Sequence, residues 1–220
     1  MILRCKFTKI GDISYISHLD LLKIFIRALR RSRIEVNYSE GFHPHPKISF
    51  SSALSLGIQS YSEFIDIDIK YDKDEKGFLE NINGSLPEGI DITEYKIVEK
   101  PEALTKIMTH SLYEFYFEQD ISKLEDVLKE IMSKEELIIQ KKNKKKQIKD
   151  VNIREKIYDV EIKKEKSLLN AILLNSTEGA LKPSEFIKAI NDNYNLDIKP
   201  YNIVKRASMF LTEEGNFKVV

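Results

Sequence analysis

Residues 38–57 read YSEGFHPHPKISFSSALSLG, and the rest of the chain is organised around this stretch. Gly41 can adopt a positive φ at no steric cost, so a sharp turn is expected there. His43 and His45 each precede a proline, which favours extended geometry and splays the two imidazoles apart. The alternation of apolar and polar residues after Lys47 predicts a strand with one polar face. The stretch is therefore a stiff, histidine-bearing loop that leads into a strand, and such loops often carry function.

The composition limits the classes of partner and of site. The 220 residues include 35 Lys+Arg and 35 Asp+Glu, so any nucleic-acid affinity must come from local patches. The single Cys5 excludes an internal disulfide and a cysteine-rich zinc site, which favours a reducing, cytoplasmic compartment. No apolar run approaches the roughly 18 residues of a transmembrane helix, and the first residues lack the apolar core of a signal peptide. We therefore expect a cytoplasmic protein without a membrane partner.

A basic helix precedes the histidine loop. Ser17 is a good N-cap and Asp20 completes a variant of the capping box, so a helix is predicted to begin there. Apolar residues at helical spacing are predicted to face a core: Leu22, Phe25, Ile26 and Leu29. The opposite face carries cations: Lys23, Arg27, Arg30 and Arg31. This face is either an ordinary solvated surface or a binding surface for phosphates.

The order of elements predicts the fold of the first half. Residues 2–8 alternate apolar with basic or polar side chains and indicate a half-buried strand with a basic outer face. After the helix come strands at 34–38, from 47 and at 62–70, a helix at 74–83, and a strand at 90–98. The strand at 34–38 is an extra element. Without it the order is β-α-β-β-α-β, which predicts a ferredoxin-like domain over residues 1–100.

A second cycle of the same elements follows, over residues 101–220. The predicted elements are a strand at 111–118, a helix at 122–132 capped by Ser122, strands at 137–140, 157–163 and 168–174, a helix from Pro183 to about residue 193, and a strand at 201–210. These elements form a second β-α-β-β-α-β unit with one strand more than the pattern requires. The sequence thus predicts an α+β protein of two tandem ferredoxin-like units with antiparallel sheets, and this prediction depends on element order alone.

A dense cationic run lies inside the second half. It consists of Lys141, Lys142, Lys144, Lys145, Lys146 and Lys149. One interpretation is a solvated hairpin tip, and the other is an arm that contacts the phosphates of a nucleic acid. Asp150 and Arg154 border the run and are predicted to hold it against the fold.

The histidines admit three chemical roles. His18, His43 and His45 could bind a metal ion, but the chain has no HExxH motif, and the flanking prolines make joint chelation awkward, so we predict no metal site. They could instead act as general acid and base in metal-independent RNA cleavage, which uses the ribose 2′-hydroxyl as nucleophile. The third hypothesis is structural: His18 and His43 hydrogen-bond buried backbone and fix the loop. No catalytic residue is assigned, and no cofactor is expected, because the chain has no glycine-rich phosphate loop, serine elbow or cysteine cluster.

The segments YISHLDLLKIFIRALRRS (15–32) and YSEGFHPHPKISFSSALSLGI (38–58) together resemble a bacterial domain of unknown function found in radical SAM-linked proteins. Later residues also match it, among them Glu63, Leu86-Pro87, Gly89, the lysine run ending at Asp150, and Leu181-Lys182-Pro183. Members of this family occur beside a radical SAM protein or are fused behind one. Since the present chain has no radical SAM domain, the resemblance implies a radical SAM partner that acts in trans.

The preferred functional hypothesis is a non-enzymatic RNA-binding accessory module that presents tRNA or rRNA to the radical SAM partner. Tyr38 and Phe42 are predicted to stack on unpaired bases. The phosphates are predicted to contact Arg27, Arg30, Arg31, Lys47 and the lysine run at 141–149. One alternative is a protein subunit that docks on the radical SAM enzyme without touching RNA. Another is a metal-independent endoribonuclease, since tandem ferredoxin-like units are similar to the CRISPR repeat-RNA processing enzymes, although the glycine-rich C-terminal loop of those enzymes is missing here.

Overall fold

The computed structural model describes residues 1–70, 77–142, 147–176, 179–211 and 217–219. The chain forms two compact units, Met1–Met108 and Thr109–Val220. Both units combine helices with antiparallel strands, which confirms the predicted α+β class. The domain limit predicted at residue 100 falls in the segment that joins the last strand of the first unit to the first strand of the second.

The first unit is built on four antiparallel strands. In chain order its elements are β1 (Ile2–Lys9), α1 (His18–Arg31), β2 (Ile48–Phe50), β3 (Gln59–Asp68), α2 (Phe78–Asn83), β4 (Ile92–Val98) and α3 (Leu104–Ile107). Strand β1 pairs with β3 and with β4, and β2 pairs with β3. The strand order is therefore β4-β1-β3-β2, with β1 in the interior of the sheet.

The core of the first unit forms where α1 covers the sheet. Phe7 of β1 and Phe25 of α1 meet edge to face, with ring centroids 5.0 Å apart, and Phe25 meets Phe50 of β2 at 5.5 Å. Ala28 and Leu29 are buried on the same side of the helix. Burying one such large apolar side chain stabilises the fold by about 1.5–3 kcal/mol, so this contact positions α1 and the loop that follows it.

The predicted basic outer face of β1 is wrong, because Arg4 is buried. Its Nε and Nη2 atoms donate to the two carboxylate oxygens of Asp66 on β3 at 2.9 and 2.8 Å. Nη2 also donates to the carbonyl of Glu102 at 2.8 Å. The prediction failed because β1 is an interior strand, and a carboxylate from the neighbouring strand makes burial of the guanidinium tolerable.

Lys9, at the end of β1, is also buried. Its Nζ donates to the carbonyls of Ser14 and Ile16, at 3.2 and 3.0 Å, in the turn that leads to α1. Burial lowers the pKa of Lys9, and the nearby carboxylate of Glu63 partly opposes this effect. The side chain therefore holds the entry to α1 in place.

The strand predicted at residues 34–38 is not a regular strand. The segment makes only isolated bridges, from Val36 to Ile69 and from Tyr38 to Pro46. The segment changes partner within two residues, from Ile69 to Pro46, so neither pairing extends into a ladder.

The second unit has a main sheet and a separate hairpin. Its elements are β5 (His110–Tyr116), α4 (Leu124–Ser133), β6 (Ile138–Lys142), β7 (Ile148–Asn152), β8 (Ile157–Lys163), β9 (Leu168–Leu174), α5 (Pro183–Tyr194), β10 (Asn202–Leu211) and β11 (Phe217–Val219). Four antiparallel strands have the order β10-β5-β9-β8, and β11 pairs with β10. Proline occupies the first turn of α5, as predicted.

The strand predicted at 137–140 belongs to the hairpin of β6 and β7, which forms a sheet of its own. This hairpin is attached to α5. Asn193 Nδ2 donates to the carbonyl of Ile138 at 3.0 Å, and Lys141 Nζ lies 2.8 Å from Glu185 Oε2. The strand in excess of the predicted β-α-β-β-α-β unit therefore lies in a separate hairpin that packs on a helix.

The predicted cap of α4 is wrong. The helix begins at Leu124 after Lys123, and no side chain caps it. The Ser122 backbone amide and hydroxyl instead donate to the carboxylate of Asp120, at 2.8 and 2.9 Å. This local turn competes successfully with the capping geometry.

No helix in the described residues is both long and apolar enough to cross a membrane.

Candidate nucleic-acid interface

The exposed face of α1 begins with the predicted cap. Ser17 Oγ accepts the backbone amide of Asp20 at 3.2 Å, and its hydroxyl donates to the carboxylate of Asp20 at 2.7 Å. The bond from Ser17, followed by the ion pair with Lys23, lowers the pKa of Asp20. This start confirms the predicted phase of the helix, which buries Phe25 and leaves Arg27 exposed.

The predicted arginines of α1 are not equivalent. All three are exposed, but Arg31 Nη2 donates to the carbonyl of Ser85 in the loop after α2. The side chains of Arg27 and Arg30 make no hydrogen bond or ion pair with any residue that the structure describes. Arg31 thus has a structural contact, whereas Arg27 and Arg30 are free to meet an anion.

Residues 38–47 of the histidine loop form a short arm, called the arm below, which is closed by backbone hydrogen bonds. The amide of Ser39 donates to the carbonyl of His45 at 2.8 Å, and the His45 amide donates to Ser39 Oγ at 3.0 Å. The Lys47 amide donates to the carbonyl of Asn37 at 2.8 Å. Gly41, at the turn, has φ 116°, a conformation that a side chain would strain.

Phe42 lies at the tip of this arm and is fully exposed, at 103% of its reference surface. Tyr38 and Lys47, at the base of the arm, are also exposed. The arm therefore presents two aromatic rings and a cation on a backbone that its own hydrogen bonds hold in shape.

The three candidate histidines differ in surroundings. The ring of His18, at the start of α1, is partly buried and meets Phe50 edge to face, with centroids 5.1 Å apart. His43 and His45 are exposed on the arm. Among the described residues no group of three or more His, Cys, Asp or Glu side chains could hold a metal ion. The acid-base role of these histidines stays a prediction.

An open pocket of ≈ 480 Å³ lies where α1 ends and the arm begins. It includes the predicted residues Arg30 and Tyr38. It also includes residues that the sequence analysis missed, in particular Arg33, Glu35 and Lys70. Their spacing in the chain carries no recognisable motif, so only the fold could reveal that they share a pocket.

The lysine run is only partly described. Lys141 is paired with Glu185, so it acts as a structural contact, and Lys149, opposite it in the hairpin, is exposed. Lys142 is described through its backbone in β6 alone, and Lys144, Lys145 and Lys146 lie outside the described residues. The predicted anchoring role of Arg154 is supported, since its guanidinium donates to the carbonyls of Met132 and Ile157, each at 2.8 Å.

A family model described as "Uncharacterized protein conserved in bacteria (DUF2344)" matches residues 3–183. The chain belongs to the DUF2344 family. The description of the family names no activity and no radical SAM protein, so the partner implied by the sequence resemblance stays a prediction. A comparison of the DUF2344 chain with curated proteins gave no match.

Among solved structures, the DUF2344 chain is similar to a chain of the "Crystal Structure of a Cbf5-Nop10-Gar1 Complex". The identity is 9%, the TM-score is 0.49, and the match covers 94% of the DUF2344 chain and 48% of the other. The chain thus spans about half the length of that protein, and the likeness is too distant to support an argument about function.

Proposed function

We propose that this protein is an RNA-binding accessory module and that its RNA-binding surface is formed by the exposed face of α1 together with the arm. The observation that carries this proposal is the full exposure of Phe42 on an arm whose base shares a pocket with the free cation Arg30. When another flat group stacks on an exposed aromatic ring, apolar surface is removed from water, and this favours binding. Unpaired bases of RNA are such groups, and their phosphates match Arg27, Arg30 and Lys47.

The local charge supports the same proposal. The whole chain is formally neutral, yet the arginines of α1 lie close together on one helix face. Buried Phe25 and Leu29 orient that face toward solvent. The affinity would therefore come from a small patch, with no long-range attraction by the rest of the protein.

The radical SAM partner in trans is part of this proposal and depends on the sequence resemblance alone. The tRNA or rRNA nature of the ligand is also part of this proposal. Under this proposal the protein supplies binding, and its partner supplies the chemistry.

We further infer that the two units are tandem ferredoxin-like units. The element order supports this, because each unit reads β-α-β-β-α-β once the short helix α3, the β6–β7 hairpin and the short strand β11 are set aside. The strand orders β4-β1-β3-β2 and β10-β5-β9-β8 correspond position by position.

The test of RNA binding uses a fluorescent single-stranded RNA and anisotropy at fixed low salt. Replacing Phe42 by Ala should weaken binding roughly 5- to 100-fold, since stacking of one base is worth about 1–3 kcal/mol. Arg27→Gln should weaken it as well. Tyr201→Ala is the matched control, because Tyr201 is an exposed aromatic residue of the second unit. Absence of binding by the parent protein at low salt would refute the proposal.

A second candidate function, docking on a radical SAM protein without RNA contact, is favoured by a different observation. Tyr15, Leu19 and Leu56 are exposed at 71%, 66% and 64%. Gly57, with φ 78°, leaves room for the ring of Tyr15, which lies 3.2 Å from the position a Cβ atom would take. Co-purification of the two proteins after nuclease treatment tests this candidate, and Leu19→Asp should abolish the complex if docking uses this surface.

A further inference from the structure

Arg33, a residue with positive φ, lines the pocket between the end of α1 and the base of the arm. Helix α1 ends in paired backbone bonds, with the amide of Ile34 donating to the carbonyl of Leu29 and the amide of Arg33 to that of Arg30. This termination places Arg33 at φ 57°, in the left-handed region where glycine is usual. This φ is that of an ordinary helix C-terminus, so glycine can replace Arg33 without distorting the chain.

The polar part of the lining is mainly cationic. Arg30 and Arg33 are exposed and make no ion pair or hydrogen bond through their side chains with any residue that the structure describes. Lys70 also lines the pocket, and its Nζ lies 3.1 Å from Glu35 Oε2. One cation is therefore already compensated, and two guanidinium groups remain for an anion. Guanidinium groups bind phosphate oxygens with paired hydrogen bonds.

The rest of the lining is apolar and includes one aromatic residue. Tyr38 and Pro46 form a bridge at the base of the arm, so both belong to its hydrogen-bonded part. The aliphatic lining residues are Ile26, Leu29, Ile34 and Val36. A volume of ≈ 480 Å³ lies within the range of roughly 300–1,000 Å³ that is typical of pockets for small ligands.

We propose that this pocket binds one nucleotide, with its phosphate on Arg30 and Arg33 and its base against Tyr38 and the aliphatic residues. The nucleotide is either a free nucleoside monophosphate or an unpaired residue of RNA. The second case rests on the RNA binding proposed above, and the first does not.

Arg33→Gly is the decisive variant. Glycine adopts the φ of this position without strain, so the variant keeps its fold, and its melting temperature should not fall below that of the parent. Loss of one charged contact should weaken nucleotide binding roughly 10- to 100-fold. Asn195→Gly is the matched control, because Asn195 ends helix α5 at φ 50° in the second unit and should leave binding unchanged. Lys166→Gln is the control for a lost positive charge.

The probes are AMP, UMP, the two nucleosides without phosphate, and a single-stranded RNA, each titrated into the full chain by calorimetry or anisotropy. Binding of the monophosphates but not the nucleosides, weakened in Arg33→Gly and in Arg30→Gln but not in Asn195→Gly or Lys166→Gln, supports a free nucleotide as ligand. Weakened RNA binding in Arg33→Gly and in Arg30→Gln, without affinity for the monophosphates, supports an RNA residue.

The two proposals fail in different ways. If RNA binds and is sensitive to Phe42→Ala but not to Arg33→Gly, and no monophosphate binds, the pocket proposal is overturned and RNA binding stands. If the monophosphates bind through Arg33 and RNA does not bind, the proposed function is wrong and the pocket stands. Equal affinity of the parent and Arg33→Gly for every probe overturns the pocket proposal.

Discussion

Single residues of the first unit show two uses of positive charge. Arg4 is buried, and its guanidinium meets a carboxylate whose side chain is 10% exposed. Arg27 is exposed and has no partner among the described residues. A buried cation without a partner would be costly, whereas an exposed one costs little and stays available to a ligand. Two residues of the same charge can therefore have different roles, and their burial indicates which role each one has.

The pair of Arg4 and Asp66 leads to a prediction about stability. Arg4→Met leaves the carboxylate of Asp66 buried without its partner and should lower the free energy of unfolding by about 3–5 kcal/mol. The double variant Arg4→Met/Asp66→Leu removes both charges and should recover most of this loss. Urea denaturation measures both variants, and a loss of under about 1 kcal/mol in Arg4→Met would contradict the structural role of the pair.

His110 leads to a prediction about pH. Burial lowers the pKa of His110 from its ordinary value of 6.5. The unfolded chain therefore takes up a proton at higher pH than the folded protein does. Stability should be unaffected by His110 above the unfolded pKa and should fall as the pH drops through 6.5 toward the folded pKa. His110→Asn should lose this part of the pH dependence between pH 7.5 and 5, and coincident profiles of variant and parent would contradict the prediction.

At the scale of elements, the β6–β7 hairpin is held in place by contacts outside its own ladder. Arg154, just after β7, donates to two carbonyls, one of them at the end of α4. Lys141 of β6 forms an ion pair with Glu185 of α5, and both side chains are partly exposed, at 29% and 26%. The described ends of the lysine run, Lys141 and Lys149, thus lie in a hairpin that is held at its base.

The two anchors are expected to differ in strength. Arg154→Ala leaves the carbonyls of Met132 and Ile157 without their donor and should cost about 1–3 kcal/mol. Lys141→Ala removes a partly exposed ion pair and should cost at most about 1 kcal/mol. Thermal or urea unfolding compares the variants, and hydrogen exchange of residues 148–152 reports the hairpin itself. A larger loss in Lys141→Ala than in Arg154→Ala would reverse this assignment.

At the scale of the whole molecule, formal neutrality limits how strongly salt can act on RNA binding. Four cations of the first unit are candidates for phosphate contacts: Arg27, Arg30, Arg33 and Lys47. At about 0.7 counterions released per contact with a single strand, the slope of log K against log salt should be about −3. Arg27→Gln should reduce the slope by about 0.7. A slope near zero would contradict phosphate binding, and a slope well beyond −3 would indicate that the lysine hairpin also takes part.

The sequence by itself determined the elements whose signals are local. Ser17 with Asp20 specifies the start of α1, helical spacing selects its buried face, and Pro183 marks the first turn of α5, because caps and periodicity act within a few residues. The exposed arginines of α1 and the aromatic residues of the arm were predicted for the same reason.

Only the tertiary structure decided the features that join distant residues. Arg4 became a buried residue through Asp66, 62 positions away, and Arg31 acquired a structural contact through Ser85, 54 positions away. The hairpin of β6 and β7 forms a sheet of its own and contacts α5 through Asn193 and Glu185. The pocket unites Arg30 and Arg33 with Lys70 through the isolated bridge from Val36 to Ile69, and residues brought together in this way share no spacing that a sequence pattern could show.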